Sequence, residues 1–112
     1  MEILVAGGAG YIGSHMVNAL RQADCKVVVL DDLSAGHPDA VFDAELIVGS
    51  LADGELLDRL LGARKFDAVM HFASFIQVGE SVRDPAAYYR NNLINTLNLL
   101  DAMIAHQVHH FV

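Results

Sequence analysis

The run Gly7-Gly8-Ala9-Gly10-Tyr11-Ile12-Gly13 constrains this chain more than any other feature. It follows an apolar segment, Glu2 to Ala6, and opens a segment with helical periodicity. A glycine-rich turn in that setting is a strand-to-helix junction, the start of a β–α–β unit. Each glycine has a steric reason. Gly7 lets the chain turn sharply, Gly10 lets backbone come close to a pyrophosphate, and Gly13 lets the helix pack tightly on the strand. The amides of the first helical turn and the positive end of the helix dipole then face the anion. Gly7, Gly10 and Gly13 give G-x-x-G-x-x-G, while Gly8, Gly10 and Gly13 give G-x-G-x-x-G, so spacing alone does not choose between families. There is no G-x-x-x-x-G-K-[ST], which sets aside nucleotide hydrolysis by a P-loop.

The rest of the chain repeats the alternation that the glycine turn begins. Strands are expected at Glu2 to Ala6, Lys26 to Leu30, Ala44 to Val48 and Asp67 to Phe72. Their centres are nearly all apolar, as in parallel strands covered on both faces. Ile12, Met16, Ala19, Leu20 and Ala23 recur at helical spacing between the first two. Asp53 can cap a short helix carrying Leu56, Leu57, Leu60 and Leu61. Asp84-Pro85, a capping residue followed by proline, starts a helix running to about His106. That helix is expected to bury Tyr89, Leu93, Leu97, Leu100 and Ile104. The link from Leu33 to Asp43 has room for at most one helical turn. Repeated strand–helix–strand order predicts right-handed crossovers in an α/β fold. The expected architecture is a three-layer, Rossmann-type open parallel sheet with helices on both faces. His109-His110-Phe111-Val112 has the pattern of the first half of a fifth strand, so the sheet is expected to be truncated there. No repeat, linker or low-complexity tract divides residues 1–112, which form one domain or part of one.

The second strand ends in Asp31-Asp32. A carboxylate at that tip can accept both hydroxyls of an adenosine ribose, and it would repel a 2′-phosphate. The cofactor expected is therefore NAD rather than NADP, with Asp31 making the contact and Asp32 beside it.

Fourteen acidic residues against seven basic ones leave a net charge of −7. A nucleic-acid surface needs the opposite sign, so no nucleic acid is expected as a partner. Cys25 is the single cysteine, which excludes an internal disulfide and fits a reducing, cytoplasmic setting. The N-terminus carries no basic n-region or long apolar h-region. No apolar run approaches the ~18 residues that a membrane span needs, so no membrane association is expected.

Gly7 through His15 closely resembles the UDP-glucose 4-epimerases of the extended short-chain dehydrogenase/reductase family. Val29-Leu30-Asp31-Asp32-Leu33, His71-Phe72-Ala73, Val78-Gly79-Glu80-Ser81-Val82 and Tyr88-Tyr89-Arg90-Asn91-Asn92 agree with it. The resemblance spans the whole chain but about the first third of such an enzyme. It implies a tightly held NAD that removes hydride from C4 of a UDP-hexose and returns it to the opposite face, interconverting UDP-glucose and UDP-galactose. The cofactor contacts it implies are Gly7, Gly10, Tyr11, Ile12, Gly13, Asp31, Asp32, Ser50, Leu51, Phe72, Ala73, Ser74 and Asn91. Members are often homodimers when full length. The family's proton chemistry uses a serine and a tyrosine with lysine four residues on, the lysine lowering the tyrosine pKa. Tyr11, Tyr88 and Tyr89 are followed four places later by His15, Asn92 and Leu93, so no catalytic residue is assigned and this chain alone is expected to be inactive.

Three positions depart from the family pattern. Ser50 stands where an aspartate usually reaches the adenine, Ile76 where a lysine often touches the cofactor, and Asp24 where a glycine commonly ends the first helix. Two other readings stay open. One is the front end of a related sugar-nucleotide dehydratase or decarboxylase, and the other is a dinucleotide-binding module without turnover. Asn91, Asn95 and Asn98 share a helix face, with Asn92, Asn95 and Asn98 expected to be structural. His106, His109 and His110 lack an accompanying carboxylate or cysteine at ligand spacing, so no metal site is expected. His15 and His71 are expected to pack and hydrogen-bond near the glycine loop.

Overall fold

The computed structural model describes residues 1–34, 36–41, 43–72 and 84–112. Four parallel strands, β1 (Glu2–Ala6), β2 (Lys26–Asp31), β3 (Glu45–Val48) and β4 (Ala68–His71), lie in the order β3-β2-β1-β4. Helix α1 (Tyr11–Gln22) connects β1 to β2, and α2 (Gly54–Ala63) connects β3 to β4. A single 3-10 turn, Pro38–Val41, lies between β2 and β3, as the short link predicts. The long helix α3 (Pro85–Ala105) follows β4. The chain then returns to the sheet beside β4. Phe111 bridges Val69 in parallel, with Val69 N–H donating to His110 O at 2.9 Å and His71 N–H to Val112 O at 2.8 Å. This is the expected start of a fifth strand.

Alternate strand residues feed two separate cores, which is why the strand centres show no polar alternation. Ile3, Val5, Val27 and Val29 face α1, where they meet Ala9, Val17 and Val41. Leu4, Ala6, Val28, Leu30 and Val69 face the other way, onto Leu57, Leu60 and Leu61 of α2 and Leu99, Ala102 and Met103 of α3. Leu4, Val5, Val28 and Val29 are fully buried, so β1 and β2 form the centre of both layers. The expected three-layer α/β architecture is present.

The helix ends follow their sequence signals. Asp53 accepts from Leu56 N–H at 3.1 Å and caps α2; Asp84 accepts from Ala87 N–H at 3.2 Å, with Pro85 in the first turn of α3. Asp24 adopts φ 62°, the left-handed geometry for which a glycine would be the unstrained choice.

Two helix faces correct the sequence expectation. In α3 the buried residues are Leu99, Ala102 and Met103, while Tyr89, Leu93, Leu97 and Ile104 are exposed and Leu100 is only partly covered. This helix carries apolar residues on more than one face, and the sheet takes the stripe that brings α3 against α2. In α1 the buried residues are Gly13 and Val17, with Ile12, Ala19 and Ala23 exposed. Gly13 rests on Gly7 and Gly8 of the turn, and Val17 rather than Met16 enters the core, with Leu20 partly buried against it.

Charges cross-link the N-terminal edge of the sheet. Arg64 pairs with Glu45 at 2.5 Å and Glu2 at 3.8 Å, and the guanidinium holds the Glu45 carboxyl below its usual pKa. Among the described residues no helix is long and apolar enough to cross a membrane.

Candidate functional site

Register fixes what stands together at the C-terminal edge of the sheet. Ala6 is level with Leu30 on one side and His71 on the other, so Gly7, Asp31 and Phe72 leave their strands side by side. Gly7 N–H donates to Leu30 O at 2.7 Å, and Phe72 N–H donates to Ala6 O at 2.7 Å. Gly49 N–H donates to Asp31 O at 3.1 Å, which draws the turn carrying Ser50 and Leu51 to the same edge.

The glycine turn has the geometry its sequence requires. Gly7 sits at φ 82°, a conformation that side chains with a Cβ rarely adopt. A Cβ on Gly13 would lie 2.2 Å from Gly7 O, so the first turn of α1 rests directly on the turn below it. Gly10 is the N-cap and has no side-chain cap; the first helical bond runs from Ser14 N–H to Gly10 O at 2.9 Å. The amides of Tyr11, Ile12 and Gly13 therefore precede the helical ladder and point out of its positive end. A Cβ on Gly10 would meet only Gly7 O, at 3.5 Å, so the approach to those amides is open. An oxyanion fits there.

Asp31 is bound into this turn. Its Oδ2 accepts from Ala9 N–H at 2.9 Å and its Oδ1 from Leu33 N–H at 2.8 Å. Leu33 takes the left-handed conformation, φ 63°. Asp32 turns away into the loop, where Oδ1 accepts from Ser34 N–H at 2.9 Å. The Ser50 hydroxyl accepts from Ala52 N–H at 3.0 Å. Leu51 is buried in the α2–α3 core, and its carbonyl accepts from Asn98 Nδ2 at 3.0 Å. Only main-chain atoms of Leu51 are thus available at the edge.

Asn98 is structural, as expected, whereas His71 bonds away from the glycine loop. Its Nε2 lies 3.1 Å from Thr96 Oγ1 on α3, and desolvation by burial lowers its pKa from 6.5. Asn91 is exposed on α3. At ~1.5 Å per residue it lies about 7–8 Å beyond Thr96 along the helix axis, on the side leading past the strand tips. Ala73 and Ser74, with Ile76 and the segment Val78 to Val82, lie outside the described residues. The structure therefore gathers Gly7, Gly10, Tyr11, Ile12, Gly13, Asp31, Asp32, Ser50, Leu51 and Phe72 along one edge. Among the described residues no group of three or more His, Cys, Asp or Glu side chains could hold a metal ion.

The sequence reading missed Ala9, whose amide joins the glycine turn to Asp31. The local signal, an aspartate at a strand tip accepting from the backbone two residues on, accounts for the bond from Leu33 but not for the one from Ala9, which is 22 residues away.

A parallel sheet whose first strand runs through an uncapped glycine turn into a helix, with an acid at the second strand's tip, defines a Rossmann-type nucleotide-binding fold. The family model described as "NAD dependent epimerase/dehydratase family" matches residues 3–112, and the chain belongs to that family. The UDP-glucose 4-epimerase of Azospirillum brasilense is 52% identical over 104 residues, covering 92% of this chain and 30% of its own length. The crystal structure of the Brucella ovis UDP-glucose 4-epimerase in complex with NAD superposes with a TM-score of 0.93 at 42% identity, covering 98% of this chain and 34% of that one. The Thermotoga maritima enzyme with UDP-glucose gives a TM-score of 0.93 at 38% identity, covering 99% of this chain and 36% of that one. The chain thus spans about a third of the length of these relatives.

Proposed function

We propose that residues 1–112 are the NAD-binding part of a UDP-glucose 4-epimerase. The observation that carries this reading is the carboxylate of Asp31 beside the uncapped start of α1, which together suit a ribose and a pyrophosphate. The amides of Tyr11, Ile12 and Gly13, reached past Gly7 and Gly10, receive the pyrophosphate. Asp31 accepts the adenosine ribose hydroxyls, with Asp32, Ser50 and the main chain of Leu51 near the adenine. Phe72 and Asn91 lie toward the remainder of the cofactor, and the family resemblance adds Ala73 and Ser74 to its contacts.

When bound, NAD would supply the reversible hydride carrier that exchange at C4 of a UDP-hexose requires. This chain's own residues hold and orient that carrier. They contain no Tyr-x-x-x-Lys, so the 112 residues alone bind without turning over, and the UDP-hexose requires the remainder of an epimerase-length protein. We further place the full-length protein in the cytoplasm and take it to be a homodimer, the dimer alone being supported by the exposed apolar face of α3.

Titration calorimetry with NAD and NADP tests the cofactor assignment. Charge repulsion at Asp31 should favour NAD by at least about tenfold. Equal affinities would overturn it.

A further inference from the structure

Asp31 is engaged before any ligand arrives. Both of its oxygens accept backbone amides, one from Ala9 in the glycine turn and one from Leu33 in the following loop. Ala9 is also held from the opposite side, because His37 N–H donates to its carbonyl at 3.3 Å. Gly36 packs so closely there that a Cβ would fall 2.5 Å from that same oxygen. Ala9 is 3% exposed, so its amide and carbonyl are cut off from water and need these partners. The left-handed backbone of Leu33 has a conformational cost, which the bond to Asp31 offsets.

We infer that Asp31 is a positioning residue for pyrophosphate binding as well as an acceptor for ribose. Its carboxylate fastens the glycine turn to the tip of β2 and so sets the direction of the amides at the start of α1. This rests on the NAD reading above, and it adds a role that does not depend on any ribose hydroxyl. A carboxylate oxygen has lone pairs for more than one donor, so the two roles coexist. One consequence is that removing the charge to admit NADP would also loosen the phosphate site.

The test compares the parent protein with Asp31→Ala, using an NAD analogue whose adenosine ribose lacks both hydroxyls. Asp31 has no ribose hydroxyl to accept from this ligand. The variant should still bind it about tenfold more weakly, because the amide cradle is no longer held in place. Equal affinity would overturn the inference. In the unliganded protein, the Ala9 and Leu33 amides should exchange with deuterium at least about tenfold faster in the variant, with Val28 and Val29 of β2 unchanged. Uniformly faster exchange would mean that Asp31 stabilises the whole fold, and would also overturn it. If the parent itself fails to bind NAD, the cofactor reading fails and the exchange comparison still decides the positioning role. Should the alanine variant not fold, Asp31→Asn answers the same questions, since its amide group can accept one backbone N–H but opposes the second.

Discussion

His71 donates from Nε2 to Thr96 Oγ1 across 3.1 Å, while Thr96 gives its own proton to Asn92 O at 2.9 Å. That direction of donation puts a proton on Nε2, so the neutral form of the ring is the Nε2–H tautomer. The Nδ1 atom is buried and has no hydrogen-bond partner among the described residues. Burial therefore disfavours the charged form, which lowers the pKa below the ordinary 6.5.

Stability should follow that shift. In the unfolded chain His71 takes up a proton near pH 6.5, but in the folded chain it does so only at lower pH. The unfolded state then binds more protons, so stability is complete above pH 6.5 and falls as pH drops below it, until the folded-state pKa is passed. Thermal melts of the parent and His71→Gln across this window should diverge, with the parent losing more stability on acidification. Parallel curves would show that His71 is not the titrating group.

Asn98 holds α3 to the turn after β3 through the buried Leu51 carbonyl. Asn98→Ala leaves that carbonyl without its donor and should cost about 1–2 kcal/mol. Asn98→Asp should cost more, because a carboxylate would then face the carbonyl oxygen. Urea denaturation at neutral pH measures both, and a loss below about 0.5 kcal/mol for the alanine variant would show that water replaces the amide.

Two glycines of the loop should separate folding from binding. Gly13→Ala forces a Cβ to 2.2 Å from Gly7 O and 2.9 Å from Gly8 Cα, both rigid backbone. The loop must open, at about 3 kcal/mol or more. Gly10→Ala meets nothing nearer than 3.5 Å and keeps a φ of −78°, so its folding cost should stay under about 1 kcal/mol. Its methyl group nevertheless lies on the approach to the amides of α1. Calorimetry should find Gly10→Ala folded but weakened for NAD, and Gly13→Ala deficient in both.

Local chemistry was legible wherever one residue determined it. Asp53 and Asp84 predicted helix starts because each cap is decided within three residues. The strands were legible from their apolar runs, although only β1 and β2 are buried on both faces and the edge strand β3 is partly exposed throughout. The buried face of α3 was not, since Tyr89, Leu93, Leu97 and Ile104 share a periodicity as good as that of Leu99 and Met103. Which stripe meets the sheet is decided by contacts with α2 and by Asn98, and these lie far away in sequence. The same distance hid the bond between Asp31 and Ala9, two residues that each had a local reason to be where they are.

The outward stripe of α3 supplies the last prediction. Tyr89, Leu93, Leu97 and Ile104 are 66%, 60%, 47% and 75% exposed, and they recur along the helix at intervals that align them on one side. A continuous apolar stripe in water favours a partner, and a second copy of the same helix matches it by two-fold symmetry. Sedimentation velocity over a range of concentrations should show the full-length protein as a dimer. Leu93→Glu with Leu97→Glu should shift it toward monomer, because two carboxylates per copy would be buried against one another. If the stripe is instead covered by other parts of the same polypeptide, the double variant lowers the melting temperature and leaves the sedimentation coefficient of the folded protein unchanged. A dimer that persists with an unaltered melting temperature would mean that this face contacts neither.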